Sequence, residues 1–221
     1  MIARLRVAPV LVLLAAACEL VGGCAATHFV RPLGRGHGVV TASLGGPLVK
    51  LFGGTFPAPI VDLGGGYGVR DDLEVFGHVD VTALAFGILH IDPGFALHPI
   101  VSDGGWKPTV TVGSALHLLT NFHDARAVPQ LTAACAWRIK HKHMIYAGAD
   151  LGLGFGAEFH PLWGPFIGGE ARIGRVGLAL EAKWIAPGYP VAPLAPAWVS
   201  PSSQGYLSVL LGVNVYLGGV K

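Results

Sequence analysis

The sequence predicts an all-β fold, an up-and-down antiparallel transmembrane β-barrel of about ten strands. Three observations carry that expectation. The first is the alternation from Ile145 to Phe159. One phase reads Ile145, Ala147, Ala149, Leu151, Leu153, Phe155, Ala157 and Phe159, and the other Tyr146, Gly148, Asp150, Gly152, Gly154, Gly156 and Glu158. Successive side chains of a strand point to opposite faces. A column of glycines beside isolated charges suits the crowded interior of a small barrel, with the apolar phase turned to lipid. The second is composition. The chain is 52% hydrophobic and 13% charged, about half the charge usual in soluble domains, yet no apolar run approaches the ~20 residues of a membrane helix. The third is that short and long connections alternate along the chain, as they do when every second turn lies at the same end of a barrel.

Taken in order, residues 1–17 read as an export signal: Arg4 and Arg6, then an apolar run from Val7 to Ala17. Leu14-Ala15-Ala16-Ala17-Cys18 has the form of a lipobox, which makes Cys18 the expected acylation site and new N-terminus. Cys24, after Val21-Gly22-Gly23, is the second candidate, and cleavage near Ala26 without a lipid is the alternative. No aspartate follows Cys18. Residues 18–35 are expected to form a lipid-anchored tether and 36–221 the barrel. Loss of Arg4 and Arg6 leaves 13 basic against 13 acidic side chains, so nothing in the charge balance suggests nucleic acid. Only Cys135 lies beyond the signal region, so no disulfide framework is expected.

Ten strands are expected, at 37–45, 58–69, 72–86, 93–99, 108–120, 127–140, 143–158, 164–173, 176–186 and 205–217. In the third, Leu73, Val75, Val79, Val81 and Ala83 oppose Asp72, Glu74, His78, Asp80 and Thr82. The sixth sets Leu131, Ala133, Cys135, Trp137 and Ile139 against Gln130, Thr132, Arg138 and Lys140. The ninth sets Val176, Leu178, Leu180, Ala182 and Trp184 against Arg175, Glu181 and Lys183, and the tenth aligns Leu207, Val209, Leu211, Val213, Val215 and Leu217. Pro93 and Pro99 bracket the fourth, which is the weakest. Short links at Arg70-Asp71, Ser102–Trp106, Lys140–His143 and Gly174-Arg175 fall at one end, with both termini. Gly46–Pro57 and Pro187–Gln204 are expected as long loops at the other. A tight hairpin at Gly174-Arg175 pairs Glu170 with Ala179 and Gly168 with Glu181, all on the charged or small phase. Tyr67, Trp106, Trp137, Trp163 and Trp184 near strand ends are candidates for an interfacial girdle.

The barrel interior is expected to hold a charge network of Glu74, His78, Asp80, Arg138, Asp150, Glu170, Arg172, Glu181 and Lys183, with Asp62, His117 and Lys140 on the same faces. Isolated charges in a narrow interior must be paired, so Arg138, Arg172 and Lys183 are expected to meet carboxylates and plug the lumen. No catalytic residue, cofactor or metal is assigned. Nucleophile, phosphate-loop, Cys/His zinc and dinucleotide motifs do not occur. Three outer-loop pairs, His90 with Asp92, His123 with Asp124 and His160 with Glu158, have metal-ligand or general-base chemistry at poor specificity.

Residues 37–217 resemble the small outer-membrane barrels of Gram-negative bacteria, and the N-terminus resembles a bacterial lipoprotein signal. The resemblance implies an outer-membrane location, a periplasmic N-terminus, contact with lipid and lipopolysaccharide, and insertion by the barrel-assembly machinery. That machinery reads a terminal aromatic in this family; Tyr216 is the candidate here, although Gly218-Gly219-Val220-Lys221 follows it. The preferred function is non-enzymatic, a structural or surface-interaction barrel. The alternatives are a narrow pore for small solutes, a hydrolase at the outer rim, and a lipid-anchored lipocalin-like carrier with its faces reversed.

Overall fold

The computed structural model describes residues 26–51, 53–140, 142–155, 159–190 and 198–218. Cys18, Cys24 and the rest of residues 1–25 lie outside the described residues, as does Glu158. The strands are β1 (Gly38–Leu51), β2 (Gly54–Pro57), β3 (Ile60–Gly68), β4 (Leu73–Asp80), β5 (Leu89–Ile91), β6 (Gly94–Ile100), β7 (Thr109–Thr120), β8 (Ala125–Ile139), β9 (His143–Phe155), β10 (Phe159–Ile173), β11 (Val176–Pro190) and β12 (Gln204–Leu217). A short helix, α1 (Val81–Ala85), follows β4.

These strands make ten staves. Pro59 interrupts β2 and β3, and Pro93 interrupts β5 and β6, because proline has no N–H for the ladder. Neighbours pair antiparallel in chain order, and β12 returns to β1 from Gly38↔Leu217 to Pro47↔Ser208. The sheet is therefore closed, without free edges along its length. Register follows the alternation: Glu170 pairs with Ala179 and Gly168 with Glu181.

The faces are decided by burial. Leu178 and Leu180 are 50% and 55% exposed on the outside, while Glu181 and Lys183 are 0% and 5% exposed within. Val40, Leu63, Val75, Val112, Leu131, Ile145, Ile167, Leu211 and Val213 carry the apolar exterior around the other staves. Water would leave so continuous an apolar belt unfavourable, whereas acyl chains cover it. The barrel spans a membrane, and the reversed, lipocalin-like arrangement is excluded.

The inner glycines have a steric cause. Gly148 pairs with Phe166 and Gly168 with Tyr146. A Cβ on Gly168 would sit 2.5 Å from the Tyr146 ring, and one on Gly148 would sit 2.6 Å from Phe166. Gly64 faces the His78 ring across the same kind of pair. Each glycine lets a large inward side chain of the next strand lie over its backbone.

Two expectations need correction. The third strand ends at Asp80 rather than at residue 86. Asp80 Oδ1 accepts from Ala83 N (2.8 Å) and caps α1, while Thr82 Oγ1 accepts from Val61 N (2.8 Å) instead of lining the lumen as a strand residue. A local side-chain cap there outcompetes the ladder. Gly46–Pro57 is not a loop either: β1 continues to Leu51 and turns into β2, with Leu48↔Pro57 to Leu51↔Gly54 paired.

Candidate functional site

The lumen is occupied by the chain's own N-terminal segment. Residues 26–36 form a strap that contributes Thr27, Val30, Arg31 and Leu33 to the buried interior. It leaves the barrel at the end with the short turns, where Gly36 N donates to Gly68 O (2.8 Å) and Arg35 N to Asp71 Oδ1 (3.3 Å). Val30 packs with Ala134, Ala136, Met144, Tyr146 and Phe166. Leu33 packs with Val39 and Tyr216, beside Phe29.

The strap's polar groups meet the inward carboxylates one after another. The His28 N–H donates to Glu181 Oε2 (3.1 Å), while its ring lies 3.0 Å from Glu181 through Nδ1 and 3.0 Å from Asp150 through Nε2. An imidazole that donates from both nitrogens is the imidazolium, so His28 bridges β9 and β11 as a cation. Its ring stacks on Phe166 at 3.7 Å. Glu181 also accepts from Tyr146 OH (2.9 Å) and lies 3.3 Å from Lys183 Nζ, which donates to Ala26 O (2.9 Å). Asp150 accepts from Thr132 Oγ1 (2.6 Å). On β10, between those two strands, Arg31 Nε donates to Glu170 Oε1 (2.8 Å), and its NH2 group to Lys142 O (3.1 Å). Asn214 Nδ2 (2.7 Å) and Tyr216 OH (2.5 Å) saturate the other Glu170 oxygen. Glu74 Oε2 accepts from Leu33 N (3.3 Å), and Glu74 Oε1 lies 3.3 Å from His98 Nε2.

Glu74, His78, Asp150, Glu170, Glu181 and Lys183 thus all lie in the interior, where the alternation puts them. The cations differ from expectation. Arg138 Nε has no hydrogen-bond partner among the described residues, and Arg172 donates to Gly174 O (2.8 Å) with its guanidinium 4.8 Å from the Tyr216 ring centre. Lys140 is exposed in the β8–β9 turn at φ 49°. The partners of Glu170, Asp150 and Glu74 come instead from the strap, in residues expected as tether. One signal for this lay in His28-Phe29-Val30-Arg31-Pro32-Leu33, where cations alternate with large apolar groups unsuited to a solvated linker.

Among the described residues, His90 and His123 do not come together at one rim site. His123 is exposed in the β7–β8 turn, where His123 N and Asp124 N both donate to Asn121 Oδ1 (3.0 and 2.7 Å). The side chain of His160 and the whole of Glu158 lie outside the described residues. His90 and Asp92 point into the lumen beside His117 rather than lying on a loop. Tyr216, the candidate terminal aromatic, is buried inside.

No family model matches the chain, and no curated protein does. Among solved structures, the translocator domain of the autotransporter NalP from Neisseria meningitidis superposes with a TM-score of 0.41 and 8% identity, over 94% of each chain. OccK11 (OpdR) of Pseudomonas aeruginosa superposes with a TM-score of 0.30 and 10% identity, over 82% of this chain and 66% of that one.

Proposed function

We propose that this protein is a non-enzymatic outer-membrane barrel closed by its own N-terminal strap, with a structural or surface-interaction role. The supporting observation is the engagement of Glu74, Asp150, Glu170 and Glu181 by residues 28–33. Four inward carboxylates on separate staves, three of them buried and Asp150 nearly so, would each be costly without partners. Their joint satisfaction by one segment favours a resident plug over a mobile one. The narrow-pore alternative asks for a continuous wet path, which a ten-stave lumen filled by a strap does not favour.

The same reading makes residues 1–17 an export signal and Cys18 the acylated N-terminus, so that the tether of residues 18–35 anchors the chain while its described part, from residue 26, fills the barrel. The N-terminus is periplasmic, the apolar belt meets lipid and lipopolysaccharide, and the barrel-assembly machinery inserts it. Planar-bilayer recordings test the closed lumen. The intact chain should show no steady current, and His28→Ala with Arg31→Ala should introduce one. A steady open state in the unaltered chain would overturn the plug.

A further inference from the structure

Beyond the strap lies a second polar cluster that the plug does not use. Asp62 on β3 pairs across the sheet with Asp80 on β4. His78 and Asp92 exchange backbone hydrogen bonds, Asp92 N to His78 O at 3.0 Å and His78 N to Asp92 O at 3.3 Å, which brings Asp92 to the same side of the barrel. His117 on β7 completes the group. Two imidazoles converge on one carboxylate oxygen: His117 Nδ1 is 2.7 Å and His90 Nε2 2.8 Å from Asp92 Oδ1. The His90 approach is not along an N–H bond, and its Nε2 has no hydrogen-bond partner among the described residues. One ligand atom each from His90, Asp92 and His117 fits within 4.8 Å.

We propose that His90, Asp92 and His117 form a binding site for a divalent transition metal of the zinc class. Mixed imidazole and carboxylate donors suit that class. The far nitrogen of His117 is hydrogen-bonded to an oxygen acceptor, as the outer shell of a metal site requires, and that of His90 has a carboxylate nearby. His117 Nε2 lies 2.8 Å from Gln130 Oε1, and His90 Nδ1 lies 3.9 Å from Asp80 Oδ2. With the Nε2 proton of His117 given to Gln130, a neutral ring turns the Nδ1 lone pair on Asp92 Oδ1. Two acceptors 2.7 Å apart need a cation between them, either a proton or a metal.

Asp62 is a second, independent observation that favours a cation here. It is 2% exposed, within electrostatic reach of Asp92, Asp80, His90 and Lys183, and its Oδ1 has no hydrogen-bond partner among the described residues. Three carboxylates therefore surround two imidazoles. An ion about 2.0–2.1 Å from its ligands spreads them beyond the present spacing, by a small rotation of the Asp92 carboxylate. A cavity of about 50 Å³ adjoins Asp92, His117 and Gln130 on the strap side, ample for a water as fourth ligand.

The test is zinc titration of the intact, chelator-stripped barrel in detergent, followed by calorimetry, with cobalt absorption reporting imidazole ligation. One zinc per barrel is expected. His117→Gln and His90→Gln should each weaken binding by at least ~100-fold, and Gln130→Leu, which only positions His117, by about 10–100-fold. His123→Gln, on an exposed turn, should leave it unchanged. Heat-dependent gel mobility identifies variants that fail to fold, and Gln130→Leu then stands in for the ligand variants. Absence of stoichiometric zinc in the folded wild-type barrel overturns the site. So does a loss in His123→Gln equal to that in His117→Gln.

Discussion

Arg31→Met isolates the ionic part of the plug. The Arg31–Glu170 pair is buried at both ends, with side chains 4% and 3% exposed, at 2.8 Å. Removing one member of such a pair typically costs about 3–5 kcal/mol, chiefly because the other charge stays buried. Glu170 keeps Asn214 and Tyr216 as donors, which places the loss at the low end, about 3 kcal/mol. That is roughly a 150-fold rise in the undocked strap at equilibrium. Methionine preserves most of the apolar stem, so the change is in charge rather than volume. Thr27, 6% exposed in the docked strap, provides the readout as Thr27→Cys in a chain without other thiols. Its labelling by a water-soluble reagent requires undocking, so the rate should rise by about two orders of magnitude with Arg31→Met. Adding Glu170→Gln removes the stranded charge and should recover most of the effect. Labelling that is already fast in the parent chain, or indifferent to Arg31, would refute the buried-pair reasoning.

Four further outcomes follow from the same geometry. Gly168→Ala drives a methyl to 2.5 Å from the Tyr146 ring and should lower stability by about 1–3 kcal/mol in urea unfolding from micelles. Gly152→Ala, whose Cβ would meet Leu162 O at an ordinary 3.5 Å, should be nearly neutral. Leu180→Arg, on the exposed exterior, should destabilise the barrel in vesicles by up to ~2–4 kcal/mol, the range for a cation at the bilayer midplane; a neutral result there would argue against lipid contact. Glu181→Leu leaves the His28 imidazolium with Asp150 alone and the Tyr146 hydroxyl without its acceptor, and should cost about 3 kcal/mol in the same unfolding assay.

Barrel closure, strand phase and the inward carboxylates were legible because period-two alternation is a local property with a global consequence. In β11, Leu178 and Glu181 could face only opposite ways once one face was buried. The partners of those carboxylates were not legible. His28 and Arg31 are more than 100 residues from Glu181 and Glu170, and no periodicity links a strap to the wall it touches. Arg138 and Arg172 sit on the inward phase, yet near the short-turn end, where Arg172 reaches a turn carbonyl instead. The end of β4 was lost to a short-range effect, since the alternation through Val81 and Ala83 persists while the Asp80 cap favours a helix. His90 and Asp92 read as a loop pair because Pro93 broke the pattern. Their contacts with each other and with His117 appear only once β5 is paired with β7.

The most direct test of a strap inside the barrel is a disulfide between Thr27→Cys and Gly212→Cys, in a chain without other thiols and inserted in vesicles. A Cβ on Gly212 would lie 3.0 and 3.1 Å from Oγ1 and Cγ2 of Thr27, within the span a disulfide bridges. Near-complete cross-linking is expected for that pair. None is expected for Thr27→Cys with Val213→Cys, whose side chain faces outward. Free thiols at 27 and 212, or equal cross-linking at 213, would contradict a strap-filled lumen.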